Sequence, residues 1–206
     1  DMLMHREQSL TAPLEEGLQF RYKTPRNFAD LWVDWEHYIR PADTLQEQLV
    51  VGFSAERKWE RLPHRFVLDA GALAMHAGGQ IDSTDLPLQT LLNASLGFRY
   101  ANGPWWLAAH GWFYTDPSPK PRTVFQEGHA WDVSAGTDFE ALRLGMAYRR
   151  AWQFYAPRGN PLFWGHSSRK PGHKIPERHW LLARICYKKP VAAKSYFLAR
   201  LVTAYD

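Results

Sequence analysis

The sequence predicts an all-β protein, an antiparallel up-and-down meander of about ten long strands forming a β-barrel. Three observations carry that expectation. Apolar and polar residues alternate with period two over most of the 206 residues, as they must where successive side chains point to opposite faces of a strand. The alternating runs commonly reach 11–15 residues, beyond the usual soluble strand and close to a tilted bilayer crossing. Short and long connections follow one another in strict turn, which gathers the tight turns at one end of a meander and the long loops at the other.

Residues 1–16 are a polar lead-in, either disordered or helical, and 17–206 form the barrel domain. The runs lie at roughly 17–23, 28–39, 47–59, 64–77, 88–101, 104–115, 128–139, 141–155, 179–188 and 195–205. Two show the rhythm most plainly. Leu92, Ala94, Leu96, Phe98 and Tyr100 alternate with Asn93, Ser95, Gly97 and Arg99, and Leu142, Leu144, Met146 and Tyr148 alternate with Arg143, Gly145, Ala147 and Arg149. The short links fall at 24–27, 60–63, 102–104, near 140 and at 190–194, and the long ones at 40–46, 78–87, 116–127 and 156–178. Within the last, Leu162, Phe163 and Trp164 offer a short extra strand.

One face of every run is apolar, while the other carries charges that a packed core would not accept. With the apolar face outward, the lumen is lined by Arg21, Asp30, Asp34, Glu36, Glu56, Arg65, Asp69, Arg99, Asp132, Asp138, Arg143, Arg149, Arg184 and Arg200. Gln19, Gln48, Ser54, Asn93 and Ser134 share that face, as do Trp32, Trp106, Trp112 and Leu182, whereas His37, His76 and His129 point out. Acids and arginines nearly balance, which suits a water-filled channel with opposing charge ladders or a narrow lumen filled by ion pairs. The small outward residues Ala70, Ala72 and Ala74 are tolerable against lipid and would leave a soluble core thin.

Composition narrows the setting. No apolar run approaches the length of a membrane-spanning helix, but barrel strands escape that test because half their residues face the lumen. Ten Trp, nine Tyr and eleven Phe are many for this length. Trp59, Tyr100, Trp105, Tyr114, Trp152, Tyr155, Trp180 and Tyr205 sit near strand ends, where aromatic rings mark membrane–water boundaries. The single Cys186 rules out an internal disulfide framework. A net charge of +4 and a pI near 9.2 reflect bases scattered along strands, so nucleic acid is not an expected partner.

Several patterns bear on chemistry. Asp82 and Asp85, in the polar loop after Gly78-Gly79, offer oxygens, but calcium takes six to eight and turn chemistry explains the loop equally well. No metal or other cofactor is expected. The long loop concentrates Arg158, Arg169, Lys170, Lys174 and Arg178, an arrangement able to meet lipopolysaccharide phosphates. His129 has the wrong parity to join Asp132 and Ser134, but His110 on the adjacent strand shares their face and reaches either one if the register allows.

The alternation, strand lengths and turn pattern resemble the bacterial outer-membrane β-barrel class, porin-like in kind, over about residues 17–205. That resemblance implies an integral outer-membrane location and both termini in the periplasm. The parity of the ends does not comply, which suggests part of a larger barrel completed by further strands or partner subunits. The first functional reading is a passive pore for a small polar solute, or a structural membrane component contacting lipid or lipopolysaccharide. The second is a soluble all-β ligand- or carbohydrate-binding protein with its apolar face inward. The third is an outer-membrane lipid-modifying enzyme.

Overall fold

An extended backbone exposes hydrogen-bonding groups along both edges, and here each strand satisfies them with its neighbours in sequence. In the computed structural model ten strands form a single antiparallel sheet in chain order. They are β1 (Gly17–Lys23), β2 (Asn27–His37), β3 (Gln48–Arg61), β4 (His64–Ala77), β5 (Gln89–Asn102), β6 (Trp105–Thr115), β7 (Glu127–Phe139), β8 (Leu142–Trp152), β9 (Glu177–Ala192) and β10 (Ser195–Tyr205). The structure describes residues 17–39, 44–79, 82, 84–160, 164–166, 173–192 and 195–205, with backbone only from 188 onward. Among these, no pairing joins β1 to β10, so the sheet is open, in keeping with a barrel wall seen without its seam. The lead-in 1–16 and the extra strand suggested at Leu162 and Phe163 lie outside the described residues.

The up-and-down meander follows the sequence closely, with the clearest differences around the longest loop. β8 stops at Trp152 and β9 starts at Glu177, its register partner. The reason is local. Gln153 takes a left-handed conformation at φ 48°, which a side chain rarely adopts and which turns the chain out of the sheet. Phe154 and Ala156 then fold into the long-loop mouth and are fully buried against Leu91, Trp112, Tyr114 and Trp180. Asn93 donates to the Tyr155 carbonyl at 2.9 Å, fixing the loop to β5. The packed core of the molecule therefore sits inside that mouth.

Outward side chains are exposed and apolar: Phe20, Leu96, Leu107, Phe113, Val133, Met146, Leu181 and Ile185 all face away from the lumen. Water would penalise such a band, and hydrocarbon would not. Among the described residues, no helix is long and apolar enough to cross a membrane.

The long loops are tied to one another. Arg122 donates to Gln46 and Gln89, each at 3.0 Å, and Gln46 donates to Asp82 at 2.9 Å. Asp116 is 4% exposed and accepts hydrogen bonds from the Ser118 amide at 3.1 Å and the Thr123 hydroxyl at 2.6 Å. Burial pushes its carboxyl up, but the Ser118 and Thr123 hydrogen bonds outweigh burial and hold it below the ordinary value of 3.8.

Two outcomes are expected. Phe154→Ala should lower the temperature at which the protein shifts on a denaturing gel, since truncating a buried Phe costs about 3–5 kcal/mol; an unchanged shift temperature would mean the loop is not a packing element. The depressed Asp116 carboxyl contributes stability that is present above its ordinary pKa and lost as pH falls through its lower folded value. Asp116→Asn should therefore flatten the acid dependence of the same gel shift below about pH 4, and parallel curves for the two proteins would contradict it.

Candidate active site

The sheet register lines up one inward row across seven strands: Glu56, Asp69, Gly97, His110, Asp132, Arg149 and Trp180 are successive lateral partners. Because side chains alternate, all of them except the glycine project from the same face. His110 occupies the centre of this row.

Its imidazole lies between two carboxylates. Nδ1 is 3.3 Å from Asp132 Oδ1, and Nε2 faces Asp69 Oδ1 at 3.6 Å. Asp69 and His110 belong to strands that are not adjacent, and they meet over Gly97, which supplies no side chain. A Cβ there would collide with His110 Cδ2 and with both Asp69 carboxylate oxygens. Glycine is required here for space. On the other side, Arg149 donates to Asp132 Oδ2 at 2.5 Å, with Asp132 7% and Arg149 15% exposed at their side chains. The Trp112 ring stacks on His110 at 5.6 Å between centroids, and the Arg149 guanidinium lies 5.3 Å from the same ring. The result is an oriented histidine: Asp132 fixes one ring nitrogen, Arg149 fixes Asp132, and Trp112 fixes the ring plane.

Ser134 follows Asp132 by two residues on the same face and lies diagonally from His110, since its register partner on β6 is Ala108. Diagonal neighbours in a sheet are separated by about 7–8 Å. Nε2 points across β5 toward Asp69, away from the strand that carries Ser134. Both residues nonetheless line a cavity of about 210 Å³, together with Arg99, Trp106, Arg143 and Arg184.

The other luminal charges are distributed in pairs. Arg21 bridges Asp30 at 3.0 Å, Arg143 bridges Asp138 at 2.9 Å, and Glu56 bridges Lys58 at 2.9 Å. Glu36 accepts from Gln48 at 2.6 Å and pairs with Arg158 of the longest loop. Arg65 lies opposite Glu60, Asp34 opposite Val50, and Arg184 opposite Gly145 in the register. Arg200 lies opposite Cys186, with its side chain outside the described residues.

Three of the loop cations lie among the described residues. Arg158 turns to Glu36, Lys174 lies 5.9 Å from the Phe125 ring, and Arg178 lies 4.8 Å from the Trp180 ring. Arg169 and Lys170 fall outside the described residues. In the same loop, burial lowers the pKa of His166 below its ordinary value of 6.5. Asp82 is held below the ordinary carboxylate value by the Gln46 side chain first, and then by Thr84. Among the described residues, no group of three or more His, Cys, Asp or Glu is placed to hold a metal ion.

Parity puts His110, Asp132, Ser134 and Asp69 on one face, but it does not bring Asp69 beside His110. Asp69 lies far away in sequence, and only the glycine between them signals that the two side chains share space.

No curated protein and no solved structure matches the chain. One family matches over residues 1–206, the whole sequence, and its description is lipid A 3'-O-deacylase-type. The antiparallel all-β meander with its exposed apolar band agrees with an outer-membrane barrel-like family, and the chain belongs to the lipid A 3'-O-deacylase-type family.

Proposed function

We propose that this protein is an integral outer-membrane hydrolase that removes an ester-linked acyl chain from lipid A or a closely related lipopolysaccharide lipid. The family match over the full chain carries this reading. It backs the third of the sequence readings over the passive pore that came first. The histidine between two carboxylates is the chemistry that such a reaction needs.

The reaction adds water across an ester. Water oxygen bonds to the acyl carbon, the bond to the sugar oxygen breaks, and a fatty carboxylate and a sugar alcohol result. Asp132 engages Nδ1 and leaves Nε2 to act as the general base. A water at Nε2 also lies within reach of Asp69, whose carboxylate holds it toward the ester. His110 then returns the proton to the departing sugar oxygen. Ser134 has no part in this route, because Nε2 points away from its strand. Arg149 and Trp112 act as positioning residues through Asp132 and the ring plane.

Mass spectrometry of lipid A incubated with the detergent-solubilised protein tests the reading. A species lighter by one acyl chain is expected. His110→Ala should lower the rate by about 10²–10⁴-fold, and Ser134→Ala by less than about tenfold. A Ser134→Ala variant as inactive as His110→Ala, with an acyl adduct on the wild-type chain, would replace water with serine as the nucleophile. Unchanged lipid A in every condition would remove the hydrolase reading.

Gly97→Ala should cost about 10²-fold, the effect of a roughly 1 Å displacement at a reacting centre. Its gel shift should stay near wild type, because the added methyl group disturbs His110 and Asp69 rather than the ladder. Full activity in Gly97→Ala would show that the close approach of those two groups is not used.

A further inference from the structure

We infer that the basin beside His110, toward the short turns, is a carboxylate-binding subsite that takes the acyl product of hydrolysis; this rests on the hydrolase reading above. The basin begins in the cavity shared with His110 and continues into a second one of about 340 Å³ that reaches the Gly103-Pro104 turn. Arg99, Trp106, Arg143 and Arg184 line both, so the two spaces are continuous.

The floor is built from an absence of side chains. Trp106 lies in register with Gly136, which pairs in turn with Gly145, and its indole spreads over both. A Cβ at Gly136 would collide with the ring, and one at Gly145 would stand 3.2 Å from Trp106 Cζ2. The indole therefore lies against the wall as an apolar plate. Guanidinium groups flank it: Arg99 sits 5.5 Å from the ring centroid on the β5 side, and Arg143 and Arg184 close the β8 and β9 side. Arg143 is held by Asp138 at 2.9 Å, which fixes its direction. Around the lower cavity, five cationic side chains face two carboxylates, Glu60 and Asp138.

This combination has a definite preference. A guanidinium presents a planar fork matched to a carboxylate. An indole plate rewards an attached hydrocarbon and does nothing for a bare anion. Ester hydrolysis at His110 releases that kind of molecule, a carboxylate with an apolar tail, one to three rows away along the same wall. The acyl group is a neutral ester before cleavage and a carboxylate after it, so the arginines gain a partner on that group only once it is released and draw it off the histidine.

The probe is hexanoate labelled with ¹³C at its carboxyl carbon, titrated by NMR against the full chain in lipid nanodiscs, with inorganic phosphate as the second ligand. Saturable hexanoate binding is expected, weakened at least about tenfold in Arg99→Gln/Arg143→Gln, as befits the loss of charge-assisted hydrogen bonds. The gel shift of the double variant reports that it is folded. Binding unaffected by the double substitution, no binding at all, or phosphate bound as tightly as hexanoate would each overturn the subsite. His110→Ala separates the two claims: it should slow hydrolysis about 10²–10⁴-fold and keep hexanoate binding. Hexanoate bound by a wild-type protein that cleaves no lipid A would sink the hydrolase and leave a carboxylate site standing.

Discussion

Everything in this molecule depends on strand register. With a side-chain period of two, a slip of one residue in any strand would turn its charges onto the apolar face and its apolar residues onto the charged one. The penalty falls on both faces at once, so each pairing is specified along its full length. The continuous ladders from β1 to β10 put Gly97, His110, Asp132 and Arg149 at one height although they come from four different strands. The candidate active site is a horizontal line drawn through a vertical pattern.

The lumen reads as a series of levels. At the long-loop end, Phe154 and Ala156 fill the mouth and are joined by Tyr114 and Leu91. Below them comes the layer of Trp112, and then the His110 row. Lower still, Trp106 and the arginines leave open space. The histidine thus sits at the boundary between the packed cluster that includes Trp112 and the open space around Trp106. That boundary suits hydrolysis, which needs a fixed base and room for water.

Much of the architecture was legible in the sequence because a sheet with one apolar and one charged face writes its pattern into every second residue. The strands from Gly17 to Lys23 and from His64 to Ala77 fall where the alternation puts them. The end of β8 was not legible, because Tyr155 extends the apolar rhythm while the left-handed Gln153 breaks the backbone first. His110 was visible as a candidate through parity, whereas its contact with Asp69 was not. Sequence patterns record what a residue contributes, and Gly97 contributes an absence. The same holds for the Trp106 floor, where Gly136 and Gly145 look like ordinary weak strand residues until the indole is laid across them.

The ion pairs divide into two electrostatic populations. Asp132 and Arg149, at 7% and 15% exposure, lie where mobile ions have little access, while Arg143 with Asp138 and Arg150 with Glu177 are each more than 40% exposed. Dissolved salt screens the second group and scarcely touches the first. The two exposed pairs thus respond to the ionic medium, while the Asp132–Arg149 pair beside His110 keeps its geometry in dilute and concentrated solutions alike.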